Sequence, residues 1–379
     1  MNILFESMKI KNMHLANRFV RSATYDGCAD KDGFVTDKQI AIFSNLAAGG
    51  IGLIITGATY VHPRGQVRPF QNSIADDNYI SGMSKLIDAS HRNGAKIAIQ
   101  LHHGGRESAN SLRPKKMQAI APSYIEMDPY FESHYRPMTE NEVWEIINSF
   151  GDGARRAKDA GFDAVQIHGA HGYLLSQFLS PFTNHRQDEW GGDLINRLRI
   201  HREIYQAIKK NVGEDYPVLI KLGVQDAFPG GLEFNEGKQA AKLLEEWGFD
   251  ALEISLGMRG KTYEETEFLT KINRLDREAY YRNWSREIKR EVGVPVMVVG
   301  GLRTFKLMEE IIQQKDADFI SLSRPLIREP GIINEWRRGN HCRPKCISCN
   351  KCLEALRQGD ALQCFQQKSE ENPEKTDED

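Results

Sequence analysis

The sequence has no continuous apolar run long enough to cross a membrane. Its first residues, MNILFESMKIKN, also lack the positive segment and apolar core of a secretory signal. Neither sign of charge is in excess, because 50 Lys and Arg residues face 52 Asp and Glu residues. A chain without a basic surplus has little with which to attract nucleic acid or anionic lipid. These absences predict a cytoplasmic globular protein with no nucleic-acid and no membrane partner.

Cysteine is missing from most of the chain, since only Cys28 precedes a cluster between residues 342 and 364. In a cytosolic chain such a cluster suggests metal ligation more readily than disulfides. The spacing C-x2-C-x2-C-x11-C is typical of a ferredoxin-like four-iron, four-sulfur (4Fe-4S) cluster. The four candidate ligands are Cys346, Cys349, Cys352 and Cys364. Structural zinc and free thiols are the alternatives, and Cys342 is a spare candidate ligand.

The glycine-rich dinucleotide turn G-x-G-x-x-G is missing too, and there is no P-loop motif. The sequence has instead eight short apolar runs, each followed by a longer segment with helical spacing. The runs lie at 18–23, 52–58, 96–103, 164–170, 217–223, 251–257, 295–301 and 319–325. Strands that are apolar on both faces are typical of a buried parallel sheet. Eight such alternations predict an α/β fold, a (β/α)8 TIM barrel, with a doubly wound open sheet as the alternative.

Composition divides the chain into three parts. We expect a barrel over residues 1–340, a short Cys-rich C-terminal extension over 341–365, and a disordered acidic tail over 366–379, where the sequence is charged and aperiodic. Two connections, at 104–137 and 258–280, are longer than a barrel needs. Because long loops at the strand-exit end usually surround the active site, we expect both to shape the substrate mouth.

The active site of such a barrel lies at the carboxyl ends of its strands. Gly300 and Gly301 follow the seventh run, and Ser323 and Arg324 follow the eighth, where barrels commonly bind phosphate. A tight turn beside a surface arginine is the alternative.

Gln100 and Lys221 lie near the ends of two other runs. A glutamine amide can donate and accept in one plane, as the edge of a pyrimidine ring requires, and a lysine can balance negative charge on such a ring. The alternative is an amide bonded to a loop and a lysine whose charged end reaches solvent.

The fourth run ends in HGAHGY, which places His168, His171 and Tyr173 within six positions. A zinc or iron site would need a further ligand, for which the segment NHRQDEWGG (184–192) offers a histidine and two carboxylates. The motif ends a strand, however, and lacks the glutamate of the zinc-protease helix. Structural histidines are another alternative. We favour two imidazole N–H donors that hold a substrate oxygen, beside a phenol that donates a proton.

Five segments together resemble the Old Yellow Enzyme, or NADH:flavin oxidoreductase, family. They are LANRFVRSATYDG, GLIITGATYVHPRGQ, IAIQLHHGGR, GFDAVQIHGAHGYLLSQFLSPFTNHRQDEWGG with NRLR following, and SLSRPLIREP. The resemblance runs from about residue 3 to residue 338 and is most specific at 161–199. It implies an FMN-binding barrel that is reduced by NADH or NADPH. Such an enzyme, an ene-reductase, reduces carbon–carbon double bonds conjugated to an electron-withdrawing group.

The resemblance also implies a role for each matching residue. The residues implied to bind FMN are Gln100 and Lys221 at the pyrimidine edge, Ala23, Thr24 and Ala58 along the ring, and Gly301, Ser323 and Arg324 at the phosphate. His168 and His171 would hold the oxygen of the substrate. Tyr173 would protonate the α-carbon while the flavin N5 delivers hydride to the β-carbon.

Three departures from the family pattern limit these implications. Lys221 stands where many relatives have arginine, and Tyr25 where members carry a threonine or cysteine that tunes the flavin. The iron–sulfur members, such as dienoyl-CoA reductases, have a cysteine spacing one residue longer and a further nucleotide-binding domain, which we expect this chain to lack. The alternative function is an iron–sulfur dehydrogenase or reductase subunit that receives single electrons from a partner. A small-molecule alkene is the partner expected of an ene-reductase, and a homo-oligomer is also considered.

Overall fold

The computed structural model describes residues 2–108, 117–126 and 134–367, apart from the side chain of Tyr263. The strands are β1 (Met8–Ile10), β2 (Met13–Leu15), β3 (Phe19–Arg21), β4 (Leu53–Ile55), β5 (Thr59–Tyr60), β6 (Lys96–His102), β7 (Ala119–Ala121), β8 (Tyr135–Pro137), β9 (Ala164–Gly169), β10 (Val218–Gly223), β11 (Ala251–Ser255), β12 (Val296–Val298) and β13 (Phe319–Leu322). The helices are α1 (Asp37–Ala48), α2 (Ile80–His91), α3 (Glu140–Ala160), α4 (Leu174–Leu179), α5 (Leu194–Val212), α6 (Phe234–Glu246), α7 (Arg282–Glu291), α8 (Phe305–Gln313), α9 (Arg324–Arg328), α10 (Ile332–Arg337) and α11 (Lys351–Arg357).

Eight of the strands form a closed parallel barrel. They pair in the order β4-β3-β13-β12-β11-β10-β9-β6, and β6 pairs back to β4. Each of these strands lies within one of the eight apolar runs of the sequence. The predicted (β/α)8 barrel is therefore confirmed, and the open sheet is excluded. None of the helices in the described ranges is both long and apolar enough to cross a membrane.

The antiparallel hairpin of β1 and β2 covers the amino end of the barrel. Its Ile10, Met13 and Leu15 pack against the first inward-facing side chains of the barrel strands. Those side chains are Val20, Leu53, Ala98, Ala164, Leu219, Ala251, Met297 and Phe319. This end of the barrel is thus filled with apolar atoms, which leaves only the opposite end for a site.

Side chains on one face of a strand recur at every second residue. Two residues beyond the apolar layer, the inward positions change to Ser22, Gln100, Gln166, Lys221 and Glu253, all of them buried. This polar layer forms the floor of the space at the strand-exit end. The change from apolar to polar along these five strands therefore sets where the site begins.

The helix α3 illustrates how local sequence defines the surrounding helices. At its start Glu142 N–H donates to the Thr139 hydroxyl at 3.3 Å, and the Glu142 carboxylate accepts from Thr139 N–H at 3.0 Å. Such a cap stabilises a helix by about 1 kcal/mol. The helix ends at Gly161, whose φ of 103° is a left-handed conformation that favours glycine.

The segment after α10 returns to the strand-exit end of the barrel. Leu362 N–H donates to the Asp26 carbonyl at 2.8 Å, and Leu356 of α11 packs so closely on Gly27 that a Cβ there would lie 2.9 Å from it. The Cys-rich segment is thus attached to the loop that follows β3. The predicted tail at 366–379 lies outside the described residues from 368 onward, so its disorder and the three-part division stay predictions.

Candidate active site

One large cavity opens at the carboxyl ends of the barrel strands. Twelve of the residues that the sequence selects line it: Ala23, Thr24, Ala58, Gln100, His168, His171, Tyr173, Lys221, Gly300, Gly301, Ser323 and Arg324. The loop at 258–280 contributes to the wall, whereas the loop at 104–137 lies partly outside the described residues. The structure therefore brings the predicted cofactor and substrate residues into one space, which we call the active-site cavity.

The floor of this cavity is a continuous hydrogen-bonded layer. Gln100 Nε2 donates to Gln166 Oε1 at 2.7 Å, and Gln166 Nε2 donates to Glu253 Oε2 at 2.9 Å. Ser22 Oγ donates to Glu253 Oε1 at 2.7 Å and accepts from Lys221 Nζ at 2.8 Å. Sequence reasoning missed Gln166 and Glu253, although each is a polar residue within an apolar strand, which is a readable signal.

The glycine turn after β12 has a backbone geometry that favours glycine. Gly300 and Gly301 have φ angles of 122° and 70°. A Cβ on Gly300 would lie 2.8 Å from the ring of Tyr280. Buried Arg303, which the sequence did not indicate, donates from Nη1 to the Gly301 carbonyl at 2.8 Å and so supports the turn.

Ser323 and Arg324 lie beside this turn, at the end of β13. The Ser323 hydroxyl lies 2.9 Å from the Thr24 hydroxyl, which links the ends of β13 and β3. Arg324 Nη1 donates to Asn350 Oδ1 at 2.6 Å and to the Leu269 carbonyl at 2.8 Å. The Arg324 guanidinium is thus held at the cavity wall by two loops, rather than lying free on the surface.

A cluster of aromatic rings occupies the opposite end of the cavity. The centroid of His168 lies 5.1 Å from that of His171 and 5.0 Å from that of Tyr173. His102, to which sequence reasoning gave no role, packs edge-on against Tyr173 at 4.5 Å. His171 Nε2 is 2.8 Å from Ser255 Oγ, which fixes the plane of this imidazole.

The histidines of this cluster are uncharged at neutral pH. Burial lowers the pKa of His102 and of His171 to about 3. Burial, together with the neighbouring histidines, Lys221 and Arg259, holds the pKa of His168 well below its ordinary value. A neutral imidazole carries one N–H donor and one acceptor nitrogen. The cluster can therefore donate hydrogen bonds without adding positive charge.

A half-buried ion network stands next to Tyr173. Arg259 Nε lies 2.9 Å from Glu267 Oε2, and its Nη1 lies 3.5 Å from Glu107 Oε2. Glu267 Oε1 is in turn 3.7 Å from His171 Nδ1. Sequence reasoning missed all three charged residues, because they lie outside the strands and the longer helices, where no periodicity indicates which side chains point inward.

Tyr25 also lines the cavity, whereas Cys28 does not. The Tyr25 hydroxyl donates to the Pro69 carbonyl, and burial raises the pKa of this phenol above its ordinary value. The Cys28 thiol is directed at the Asp26 carbonyl, 3.3 Å away. The phenol, not the thiol, is therefore the group that this loop presents to a ligand.

The four cysteines of the predicted metal site surround a second, small cavity. Arg324 and Cys352 line both cavities. Arg303 Nη2 lies 3.8 Å from Cys346 Sγ, and Arg328 Nη1 lies 3.7 Å from Cys364 Sγ. Within the described part of the chain, no group of three or more His, Cys, Asp or Glu residues is placed to hold a metal ion. The structure thus gives no support to an iron–sulfur or zinc site at the cysteines.

Among the described residues, the structure also gives no support to the alternative metal site at HGAHGY. Its suggested further ligands belong to other contacts, since Asp188 accepts from Arg186 Nε at 3.0 Å and Glu189 is paired with Arg199. Neither carboxylate lines the active-site cavity.

Comparison with known proteins places the chain among flavin-dependent oxidoreductases. The model of the NADH:flavin oxidoreductase / NADH oxidase family matches residues 3–341. An NADH oxidase of Thermoanaerobacter brockii is 39% identical over 350 residues, which are 92% of this chain and 52% of that protein. An NADPH dehydrogenase of Clostridium acetobutylicum is 34% identical over 331 residues, which are 87% of this chain and 93% of that protein.

A solved structure supports the same relationship. A 2-naphthoyl-CoA reductase in complex with 2-naphthoyl-CoA aligns with a TM-score of 0.87 and 26% identity, over 96% of this chain and 56% of that one. The chain thus spans about half the length of the NADH oxidase and of the 2-naphthoyl-CoA reductase, and nearly all of the NADPH dehydrogenase.

Proposed function

Because the chain belongs to the NADH:flavin oxidoreductase / NADH oxidase family, we propose that it is an FMN-dependent ene-reductase driven by NADH or NADPH. Its substrates are small alkenes whose double bond is conjugated to a carbonyl or similar group. The observation that carries the proposal is that His168, His171 and Tyr173 line the same cavity as Gln100 and Lys221. When bound, FMN would supply the hydride chemistry between the nicotinamide and the β-carbon of the alkene.

The residues of the cavity fit this cofactor. Gln100 and Lys221 offer an amide and an ammonium group to the polar edge of a planar ring. The residues that leave room for the ring and its phosphate chain are small: Ala23, Thr24, Ala58, Gly300, Gly301 and Ser323. Arg324 adds a positive charge at the phosphate end.

We assign the electron-withdrawing oxygen of the substrate to His168 and His171. His168 is 5% exposed, and its Nδ1 has no hydrogen-bond partner among the described residues. Fixed donors are most effective where negative charge develops in a site that excludes water. Two neutral imidazoles can therefore stabilise the charge that accumulates on this oxygen when the β-carbon gains hydride.

Tyr173 is the proton donor in this proposal. A phenol is a weak acid with an O–H group that can be donated as a proton. Held beside His168 and His102, the phenol can pass its proton to the α-carbon, which completes the saturation of the double bond. Solvent then returns a proton to Tyr173.

Anaerobic reconstitution with FMN tests the proposal. We expect bound FMN with its visible absorbance bands, bleaching by NADH or NADPH, and recovery of the absorbance when an enone is added. A screen of enones, nitroalkenes, enoates and acyl-CoA thioesters then identifies the substrate class. Failure to bind FMN after reconstitution would refute the proposed function.

The proposed reaction has no step at the cysteines, which lie together at a second cavity. The predicted 4Fe-4S cluster, at Cys346, Cys349, Cys352 and Cys364, and the alternative of a subunit that receives single electrons both depend on metal content. Iron, zinc and acid-labile sulfide measured after anaerobic purification show whether the cysteines bind a metal and which one. Stoichiometric iron and sulfide would favour the cluster, whereas zinc without sulfide would favour a structural site.

A further inference from the structure

Glu253 is a buried carboxylate that the proposed reaction leaves without a role. It lies in β11, it is 0% exposed, and it does not line the active-site cavity. Burying a carboxylate is costly unless opposite charge and hydrogen bonds compensate for it. Both are present here, since Lys221 Nζ lies 3.3 Å from Glu253 Oε2 and two further groups donate to the carboxylate.

The pairing of the strands fixes this arrangement. Lys221 of β10 is in direct register with Glu253 of β11, and Gln100 of β6 is in register with Gln166 of β9. All four side chains are buried at the same level of the barrel, and Gln100 and Lys221 line the cavity whereas Gln166 and Glu253 do not. The contacts among them therefore follow from backbone positions rather than from a flexible loop.

Glu253 sets the direction of the hydrogen bonds that lead to Gln100. A carboxylate can only accept, so Gln166 must turn its NH2 group toward Glu253 and its carbonyl oxygen toward Gln100. Gln100 then uses an N–H on Gln166 and retains its own carbonyl oxygen as an acceptor for a ligand. Lys221 retains a donor, because its contacts with Ser22 and Glu253 occupy only part of the ammonium group.

We propose that Glu253 is a positioning residue that sets the affinity and the reduction potential of the bound flavin, acting through Gln100 and Lys221. The floor presents an acceptor and a donor side by side, which match the N–H and carbonyl groups of a pyrimidine edge. The charge of Lys221 is balanced by Glu253, so the floor gives a reduced, anionic ring little net stabilisation. This inference rests on the proposed function, because FMN is the ligand on which Glu253 acts.

Potentiometry of the reconstituted holoprotein tests the inference. In Glu253→Gln the charge of Lys221 is no longer balanced, so reduced FMN is favoured. We expect the ratio of the affinities for reduced and oxidised FMN to rise about tenfold, which is about +30 mV for a two-electron couple. Lys221→Met should shift the potential in the opposite direction and weaken binding of oxidised FMN.

The double variant Lys221→Met/Glu253→Gln leaves neither charge unpaired. We expect its reduction potential to lie between those of the single variants. The ratio of its affinities for reduced and oxidised FMN should stay within about twofold of the wild-type ratio. This double variant also keeps the test open if a single variant fails to fold. Asp226→Asn is the matched control, since Asp226 is another buried carboxylate, bonded to Ser180 at 2.6 Å, that does not line the cavity.

The outcomes separate this inference from the proposed function. FMN that binds to Glu253→Gln with an unchanged potential, or an equal shift in Asp226→Asn, would overturn the role of Glu253 while the ene-reductase proposal stands. Wild-type protein that takes up no FMN would overturn both.

Discussion

The guanidinium of Arg259 contacts Tyr173 in two ways. Its Nη2 donates to the Tyr173 hydroxyl oxygen at 3.2 Å, and its central carbon lies 5.2 Å from the centroid of the phenol ring. Glu267 and Glu107 hold the guanidinium on its other side. A fixed positive charge therefore lies beside the oxygen that, in the proposed reaction, loses a proton.

Replacement of Tyr173 by phenylalanine tests the proton donor. We expect reoxidation of the reduced enzyme by an enone to slow by about 10²- to 10⁴-fold, because general acid catalysis is lost. Reduction by NADH or NADPH should keep its rate, which rapid-mixing absorbance of each half-reaction will measure. Tyr205→Phe is the control, since the Tyr205 hydroxyl bonds to the Gly248 carbonyl and does not line the cavity. Equal loss in both half-reactions of Tyr173→Phe would contradict the assignment.

Replacement of Arg259 by methionine tests whether the positive charge beside the Tyr173 hydroxyl assists proton donation. A hydrogen bond to a charged group contributes about 1.5 to 3 kcal/mol, so we expect enone reduction to slow by about 10- to 100-fold. Arg259→Lys should recover part of the rate. In a Tyr173→Phe background, Arg259→Met should slow the reaction little further, because the group it assists is absent. Additive effects of the two changes on the rate of reoxidation would show that Arg259 acts independently of Tyr173.

The charges near His168 and His171, which are proposed to bind the substrate oxygen, predict the class of substrate. Burial raises the pKa of the Glu267 carboxyl, but the Arg259 guanidinium outweighs burial and brings the pKa below its ordinary value. The ionised Glu267 thus neutralises Arg259 and places negative charge near His171, where the substrate oxygen is proposed to bind. We expect kcat/KM for an unsaturated acid to be at least about tenfold below that of its methyl ester, a difference of about 1.4 kcal/mol.

Two glutamate variants test whether Glu267 causes the expected difference in kcat/KM between the acid and its methyl ester. Glu267→Gln should narrow the difference between acid and ester, because it frees the charge of Arg259. Glu264→Gln, an exposed change in the same loop, should leave the difference unaltered. A wild-type enzyme that reduces the acid as efficiently as the ester would contradict the prediction.

Buried histidines predict a loss of stability in acid. Burial lowers the pKa of His102 and His171 to about 3 and that of His201 to about 4, whereas an unfolded histidine has a pKa of about 6.5. Below pH 6.5 the unfolded chain binds protons that the folded chain does not. Each histidine should therefore lower the free energy of unfolding by about 1.4 kcal/mol per pH unit, down to its folded pKa.

Urea unfolding followed at pH 7.5 and at pH 5 measures this loss. His201→Gln, which lies on α5 outside the cavity, should reduce the difference between the two pH values by the contribution of one histidine. His14→Gln, an exposed change on β2, should not alter it. The prediction is wrong if stability stays constant over this range or rises as the pH falls.

The sequence was most informative where regular structure decides position. All eight barrel strands lie in apolar runs, and residues such as Gln100, His168 and Lys221 could be selected because parallel strands end at the same place. Glu253 could have been found by the same period of two, since it breaks the apolar run of its strand. No comparable signal existed for Arg259 and Glu267, whose positions depend on the path of an irregular loop.

Contacts between residues that are far apart in the sequence could not be predicted from the sequence either. The sequence indicated Cys352 only as a metal ligand. The structure places it in the wall of the active-site cavity, together with other residues of α11. Nothing in the spacing of the cysteines indicates that this segment packs over the loop after β3. Such placement depends on tertiary packing that local patterns do not encode.

The wall of the cavity joins residues from opposite ends of the described sequence. Ala23 and Thr24 form one part of it, while Cys352, Leu356 and Leu362 form another. During synthesis the early part leaves the ribosome several hundred residues before the late part exists. We therefore expect the nascent chain to hold FMN poorly until residue 362 has emerged from the ribosome.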